Sequence, residues 1–76
     1  MEKKSIITLK KGETGVISEI QASDVSQRLI EMGLTIGSSF QIRSISPFGD
    51  PIAIRLKDFA ISLRLSDAKD ILVHSN

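Results

Sequence analysis

The spacing of apolar residues changes along the chain, and the changes divide it into elements. A short apolar stretch over residues 6–9 closes at Lys10, Lys11 and Gly12. Residues 12–15, with glycines at both ends, predict a turn, because glycine accepts positive φ without a Cβ clash. Residues 14–20 are rich in β-branched side chains and predict a strand. The period then switches: Val25, Leu29 and Met32 fall at i, i+4 and i+7, one face of a helix. Asp24 with Gln27 three residues on has the form of a capping box, and Ser23 serves equally well as the cap. Gly33 stands where a helix ends in a left-handed residue, with Leu34 folding back onto the last turn. The helix is predicted over about residues 24–32.

The second half returns to a period of two. In residues 38–46, Phe40 and Ile42 face one way, Gln41 and Arg43 the other. Pro47, Phe48, Gly49, Asp50 and Pro51 predict a hairpin loop. Residues 51–57 return with Ile52, Ile54 and Leu56 on one face and Arg55 and Lys57 on the other. After a tight turn at Lys57 and Asp58, Phe59, Ile61, Leu63 and Leu65 alternate with Ala60, Ser62 and Arg64. Such a meander has one core face and one wet face. Ser66 is placed to cap a helical turn over about residues 66–70, with Ala68 packing inward, and residues 71–73 supply a last short strand. About five short strands, one helix and one helical turn predict a mainly β fold, a small closed or nearly closed barrel that hides its strand edges.

Length and composition narrow the classes. Seventy-six residues make one domain, with a thin margin of stability. The absence of cysteine removes disulfides and thiolate metal sites, and it fits a reducing compartment. No apolar run approaches the ~20 residues that span a bilayer, and the N-terminus lacks the apolar core of a secretory signal, so a cytoplasmic protein is expected. Net charge is +1, with Lys3, Lys4, Lys10 and Lys11 against Glu2 at the start, which reads as a solvated leader. The next stretch, residues 13–38, is acidic, carrying Glu13, Glu19, Asp24 and Glu31 against Arg28. No concentrated basic field is present for a nucleic-acid backbone, so no nucleic-acid partner is expected.

Residues 28–37, Arg-Leu-Ile-Glu-Met-Gly-Leu-Thr-Ile-Gly, carry the most specific pattern in the chain. With Leu9, Gly12, Gly15 and Ile17 before them, the Pro47-Phe48-Gly49-Asp50-Pro51-Ile52 loop, and residues 61–71 at the end, the chain resembles the FeoA family of bacterial ferrous-iron transport accessory proteins. The resemblance runs from about Thr8 to Val73. It implies an SH3-like β-barrel, a single domain over residues 1–76. It also implies work beside a large membrane ferrous-iron transporter, whose N-terminal part is a GTP-binding domain; the membrane is reached only through that partner. The same barrel ends the metalloregulators of the diphtheria-toxin-repressor type, so a metal-responsive regulatory domain is the alternative. Met1 opens this chain with no DNA-binding region ahead of the barrel, which favours the free-standing accessory. Ile36 stands where relatives carry proline, and a less rigid turn is expected there.

The chemistry-bearing residues point to binding rather than catalysis. The one histidine, His74, lies near the C-terminus and reads as a solvated tail residue, and no cysteine can act as nucleophile. Asp50, Asp58, Asp67 and Asp70 fall in predicted turns or caps, where aspartate has a structural reason to be. Asp67 and Asp70 share an i, i+3 face, which offers at most one weakly held ion, so no resident metal and no cofactor are expected. With Phe40, Phe48 and Phe59 as its only aromatics, and Phe40 and Phe59 at core positions, the chain has no ring-lined groove for polyproline. A protein-binding surface remains. Phe48 at a hairpin tip either anchors a partner or folds over an open barrel end. Leu34 and Ile36 form a second apolar spot after the helix, Leu34 with the stronger claim on the core. Arg55 and Arg64, on wet strand faces, can orient an acidic partner. A homo-oligomer stays open, since short-stranded barrels can swap elements between copies.

Overall fold

In the computed structural model, which describes residues 3–21 and 23–76 and of Ser23 only the backbone, the chain forms a six-stranded antiparallel sheet with two helices. The strands are β1 (Lys4–Ser5), β2 (Thr14–Ile20), β3 (Ser39–Ile45), β4 (Ile52–Arg55), β5 (Ala60–Leu63) and β6 (Ile71–Ser75). A 3-10 turn at Ile6–Thr8 follows β1, α1 (Ser23–Glu31) joins β2 to β3, and α2 (Leu65–Ala68) joins β5 to β6. The strand order is β1-β6-β2-β3-β4-β5. The sheet curls into a barrel-like, SH3-like shape without closing, so β1 and β5 are its two edges. The extra strand beyond the expected five is β1: Lys4 and Ser5 pair with Val73 and Leu72. Lys3 reaches Glu19 at 2.8 Å, so the described part of the basic N-terminus is tied to the sheet rather than a free leader.

Two β-bulges fit the core residues to the sheet. Ile17 and Ile20 are three apart, as are Ile42 and Ile45, and strict alternation would send one of each pair to solvent. The register shifts between Ile17 and Glu19 in β2, and between Ile42 and Ser44 in β3. A bulge inserts one residue and restores the inward direction. Ile17 and Ile42 are fully buried, and Ile20 and Ile45 pack against the same cluster.

The core is one cluster. It joins Ile6 and Leu9, Val25 and Leu29 of α1, Phe40, Ile42, Ile52, Ile54 and Leu63 of the sheet, and Ala68, Ile71 and Val73 of the last segment. Gly15, expected in a turn, lies inside β2. A Cβ there would stand 2.5 Å from the His74 carbonyl oxygen and 3.0 Å from the Phe40 ring, so a side chain would push β2 away from β6. His74 itself is no solvated tail residue. It is half-buried in β6 opposite Val16, and its Nδ1 is shielded without a hydrogen-bond partner.

Helix α1 starts one residue earlier than expected, which puts Asp24 in its first turn; there a carboxylate favours the positive end of the helix. A cap by the Ser23 side chain lies outside the described residues. The C-terminus follows the expectation. Gly33 takes φ +103°, the Leu34 N–H donates to the Leu29 carbonyl and the Gly33 N–H to that of Ile30. This is a Schellman end, and it turns Leu34 into the core beside Leu29.

Three residues expected in the core are exposed. Met32 follows the last residue of α1 with its N–H still bonded to the Arg28 carbonyl, but it lies at the groove beside β5 and is 46% exposed. Phe59 precedes β5 and lays its ring over Gly33, with one face open. Leu65 does not continue the β5 alternation; it is the first residue of α2 and is partly exposed. Ser66 does not cap that turn either. The position before it is Arg64, which makes no side-chain cap, and the Leu65 N–H is met instead by Asp50.

Candidate functional site

The β3–β4 hairpin carries Phe48 at its tip. The Gly49 N–H donates to the Ser46 carbonyl at 2.8 Å and the Ser46 N–H to that of Pro51, which fixes the loop. Gly49 takes φ +80°, as the tight turn requires. Phe48 is 92% exposed, the most exposed of the chain's large apolar side chains among the described residues. It therefore plugs no barrel end. The loop is anchored from below, because Asp50 Oδ1 accepts from the Leu65 N–H at 3.0 Å and ties the tip to the start of α2.

The strand registers show which of the expected contact residues lie together. At one end of the sheet Ile45, Ile52 and Leu63 stand side by side, next to Phe48 on one hairpin and Arg64 on the other. At the opposite end Gln41, Arg55 and Ala60 align, near the start of β3 and the turn that holds Ile36. Four positions along β3, from Gln41 to Ile45, separate these two rungs, roughly 13 Å at strand rise. Phe48 with Arg64, and Ile36 with Arg55, are thus two separate groups. Leu34 belongs to neither, since it has no exposed surface and acts as a core residue. Ile36 is 54% exposed in a turn braced by the Gly37 N–H on the Ile17 carbonyl and by the paired hydroxyls of Thr35 and Ser38.

Two grooves flank β5. One, of about 460 Å³, lies between β5 and the two helices, with Leu29, Met32 and Leu63 as its apolar lining and Arg28, Arg64 and Asp67 as its charged groups. Arg28 is held to Asp67 at 2.6 Å, which links α1 to α2. The second, of about 440 Å³, lies beside Phe59 and Gly33, between the 35–39 turn and the 56–59 turn. The pattern reading missed both, because Met32 and Phe59 share the parity of core residues and are exposed only by where their elements end. Among the described residues no group of three or more His, Asp or Glu side chains converges on a point that could hold a metal ion. No helix among them is long and apolar enough to cross a membrane.

The chain matches the FeoA domain family over residues 5–75. It is 33% identical over 72 residues to the Fe(2+) transport protein A/Fe(2+) transporter FeoB fusion protein of Porphyromonas gingivalis, a match that covers 90% of this chain and 8% of that protein. The chain thus spans under a tenth of the length of that curated relative. The solution structure of a FeoA-like protein from Clostridium acetobutylicum superposes with a TM-score of 0.89 at 32% identity, covering 99% of this chain and 88% of that one. A manganese-dependent transcriptional repressor superposes over 97% of this chain and 42% of its own, with a TM-score of 0.87 at 17% identity, a likeness of fold alone.

Proposed function

This chain belongs to the FeoA family, and from that membership we propose that it is an accessory protein of ferrous-iron transport, acting in the cytoplasm by contact with the GTP-binding region of the transporter. One observation carries the reading: in the Porphyromonas gingivalis relative, a segment like this chain is part of the same polypeptide as the transporter. A fusion holds two modules at high effective concentration, which favours a functional association between them. The surface supports contact rather than catalysis, because its most prominent feature is an apolar ring at a braced hairpin tip. Exposed aromatics of that kind are frequent interface anchors. Phe48 and Arg64, at one end of the sheet, are the contact residues on this reading, with Ile36 and Arg55 as a second group at the other end.

The test is a binding titration of the chain against the full-length transporter in nanodiscs, with wild type and Phe48→Ala. The reading expects saturable binding by wild type and at least a ten-fold loss for the variant. Absence of wild-type binding rejects the contact, and undiminished binding by Phe48→Ala rejects Phe48 as its anchor.

A further inference from the structure

The edge strand β5 has a free side whose backbone groups can be assigned. Leu56 and Phe59 close a two-residue turn through the Leu56 N–H on the Phe59 carbonyl at 2.7 Å, so they are a hydrogen-bonded pair. Bonded and non-bonded pairs alternate along an antiparallel ladder. The register runs without a shift through Arg55 with Ala60, Ile54 with Ile61, Ala53 with Ser62 and Ile52 with Leu63. Ile61 and Leu63 therefore spend their N–H and C=O groups on β4. Those of Ala60 and Ser62 point away from the sheet, where no strand follows.

Strand edges are usually blunted by a proline, a charged side chain or a covering element. Residues 60–63 contain neither proline nor charge, and Ala60 and Ser62 are small and exposed. Helix α1 does not cover the edge, because the 460 Å³ groove lies between them, lined by Leu29, Met32 and Leu63. The surroundings are cationic. Arg64 stands at one end of the edge and Arg55 and Lys57 at the other, all exposed and none in an ion pair among the described residues; Asp58 is the one carboxylate in the 56–59 turn, and Asp67, which lines the groove, is paired with Arg28.

We infer that the free edge of β5 takes an extended acidic segment of the transporter's cytoplasmic region as an added strand, with one apolar side chain of that segment seated in the groove against Met32. The inference rests on the transporter contact proposed above and specifies how part of it is made. Backbone pairing to Ala60 and Ser62 supplies affinity and the groove supplies selectivity, as in other cases of strand addition. Charge selects the occupant. An acidic segment complements Arg55, Lys57 and Arg64, whereas a second copy paired edge to edge would bring those same cations together.

The experiment is amide hydrogen exchange on the full chain, alone and bound to the full-length transporter in nanodiscs. In the free chain Ile61 and Leu63 are protected and Ala60 and Ser62 exchange fast. Binding is expected to slow Ala60 and Ser62 at least ten-fold. Ser62→Pro removes an N–H that the β4 ladder does not use, so it is expected to weaken binding ten-fold or more. Arg64→Glu, a surface change that leaves the strand intact, is expected to do the same and to flatten the salt dependence. A complex in which Ala60 and Ser62 still exchange freely, with both variants binding as wild type, overturns the edge inference and leaves the contact standing. No complex at all overturns both. Protection of Ala60 and Ser62 in the chain alone that rises with concentration assigns the edge to a second copy and overturns the inference.

Discussion

The carboxylate of Asp50, two residues past the exposed ring of Phe48, accepts a hydrogen bond at 3.0 Å from the backbone N–H of Leu65, the first residue of α2. One contact thus caps a helical turn with a residue from a different hairpin, and braces the hairpin tip against the helix. Asp50→Ala leaves that N–H without its partner. Loss of a helix cap costs about 1 kcal/mol, so the unfolding free energy from urea titration is expected to fall by that amount, with the midpoint moving to lower urea. Asp50→Asn, which keeps an acceptor oxygen, is expected to recover most of it.

Phe48 contributes to contact and little to folding. At 92% exposed its side chain has almost no buried area to lose. Phe48→Ala is therefore expected to shift unfolding stability by no more than about 0.5 kcal/mol, measured in the same preparation that shows weakened transporter binding. A large loss of stability would mean that the ring packs on the protein after all.

Gly15 and Gly33 are intolerant of alanine for different reasons. At Gly15 the backbone is ordinary, and the obstacle is the His74 carbonyl oxygen, 2.5 Å from the position of a Cβ. Backbone cannot yield as a side-chain tip can, and overpacking of this kind costs about 1–3 kcal/mol. At Gly33 the φ of +103° disfavours any L side chain, and the Phe59 ring lies 3.0 Å from the added carbon. Thermal unfolding is expected to show both variants well below wild type, with Gly33→Ala relieved in part by Phe59→Leu and Gly15→Ala unaffected by it.

Leu34 tests the division between core and surface. Leu34→Ala removes a fully buried side chain at the Schellman turn. Buried leucine truncations cost about 2–5 kcal/mol, a large share of the stability of so small a domain. Circular dichroism is expected to show a much lowered or absent unfolding transition. Ile36→Ala, two residues on and exposed, is expected to unfold near wild type.

The Arg28–Asp67 pair links the two helices at 2.6 Å, but Arg28 is half-exposed. Solvent-exposed pairs of this kind are worth about 0.2–1 kcal/mol and are screened by salt. A double-mutant cycle with Arg28→Ala and Asp67→Ala is expected to give a coupling in that range, declining as sodium chloride is raised toward 1 M.

Much of this architecture follows from local spacing and turn chemistry. The period-two meander after Gly37, the helix ending at Gly33, the hairpin loop around Phe48 and the inward Ala68 all follow from residues within a few positions of one another. So does the assignment of the chain to its family through residues 28–37. Tertiary structure decided the rest. The bulges in β2 and β3 arise because Ile17 with Ile20, and Ile42 with Ile45, must all reach one cluster. The exposure of Met32, Phe59 and Leu65 depends on where elements stop, a matter of what they meet across the sheet. The Asp50 cap, the Phe59 ring over Gly33 and the free edge of β5 each join residues distant in sequence. Local patterns encode which way a side chain tends to point, because backbone geometry repeats every two or 3.6 residues. They carry no record of which segment lies opposite, and that is fixed only when the whole chain shares one core.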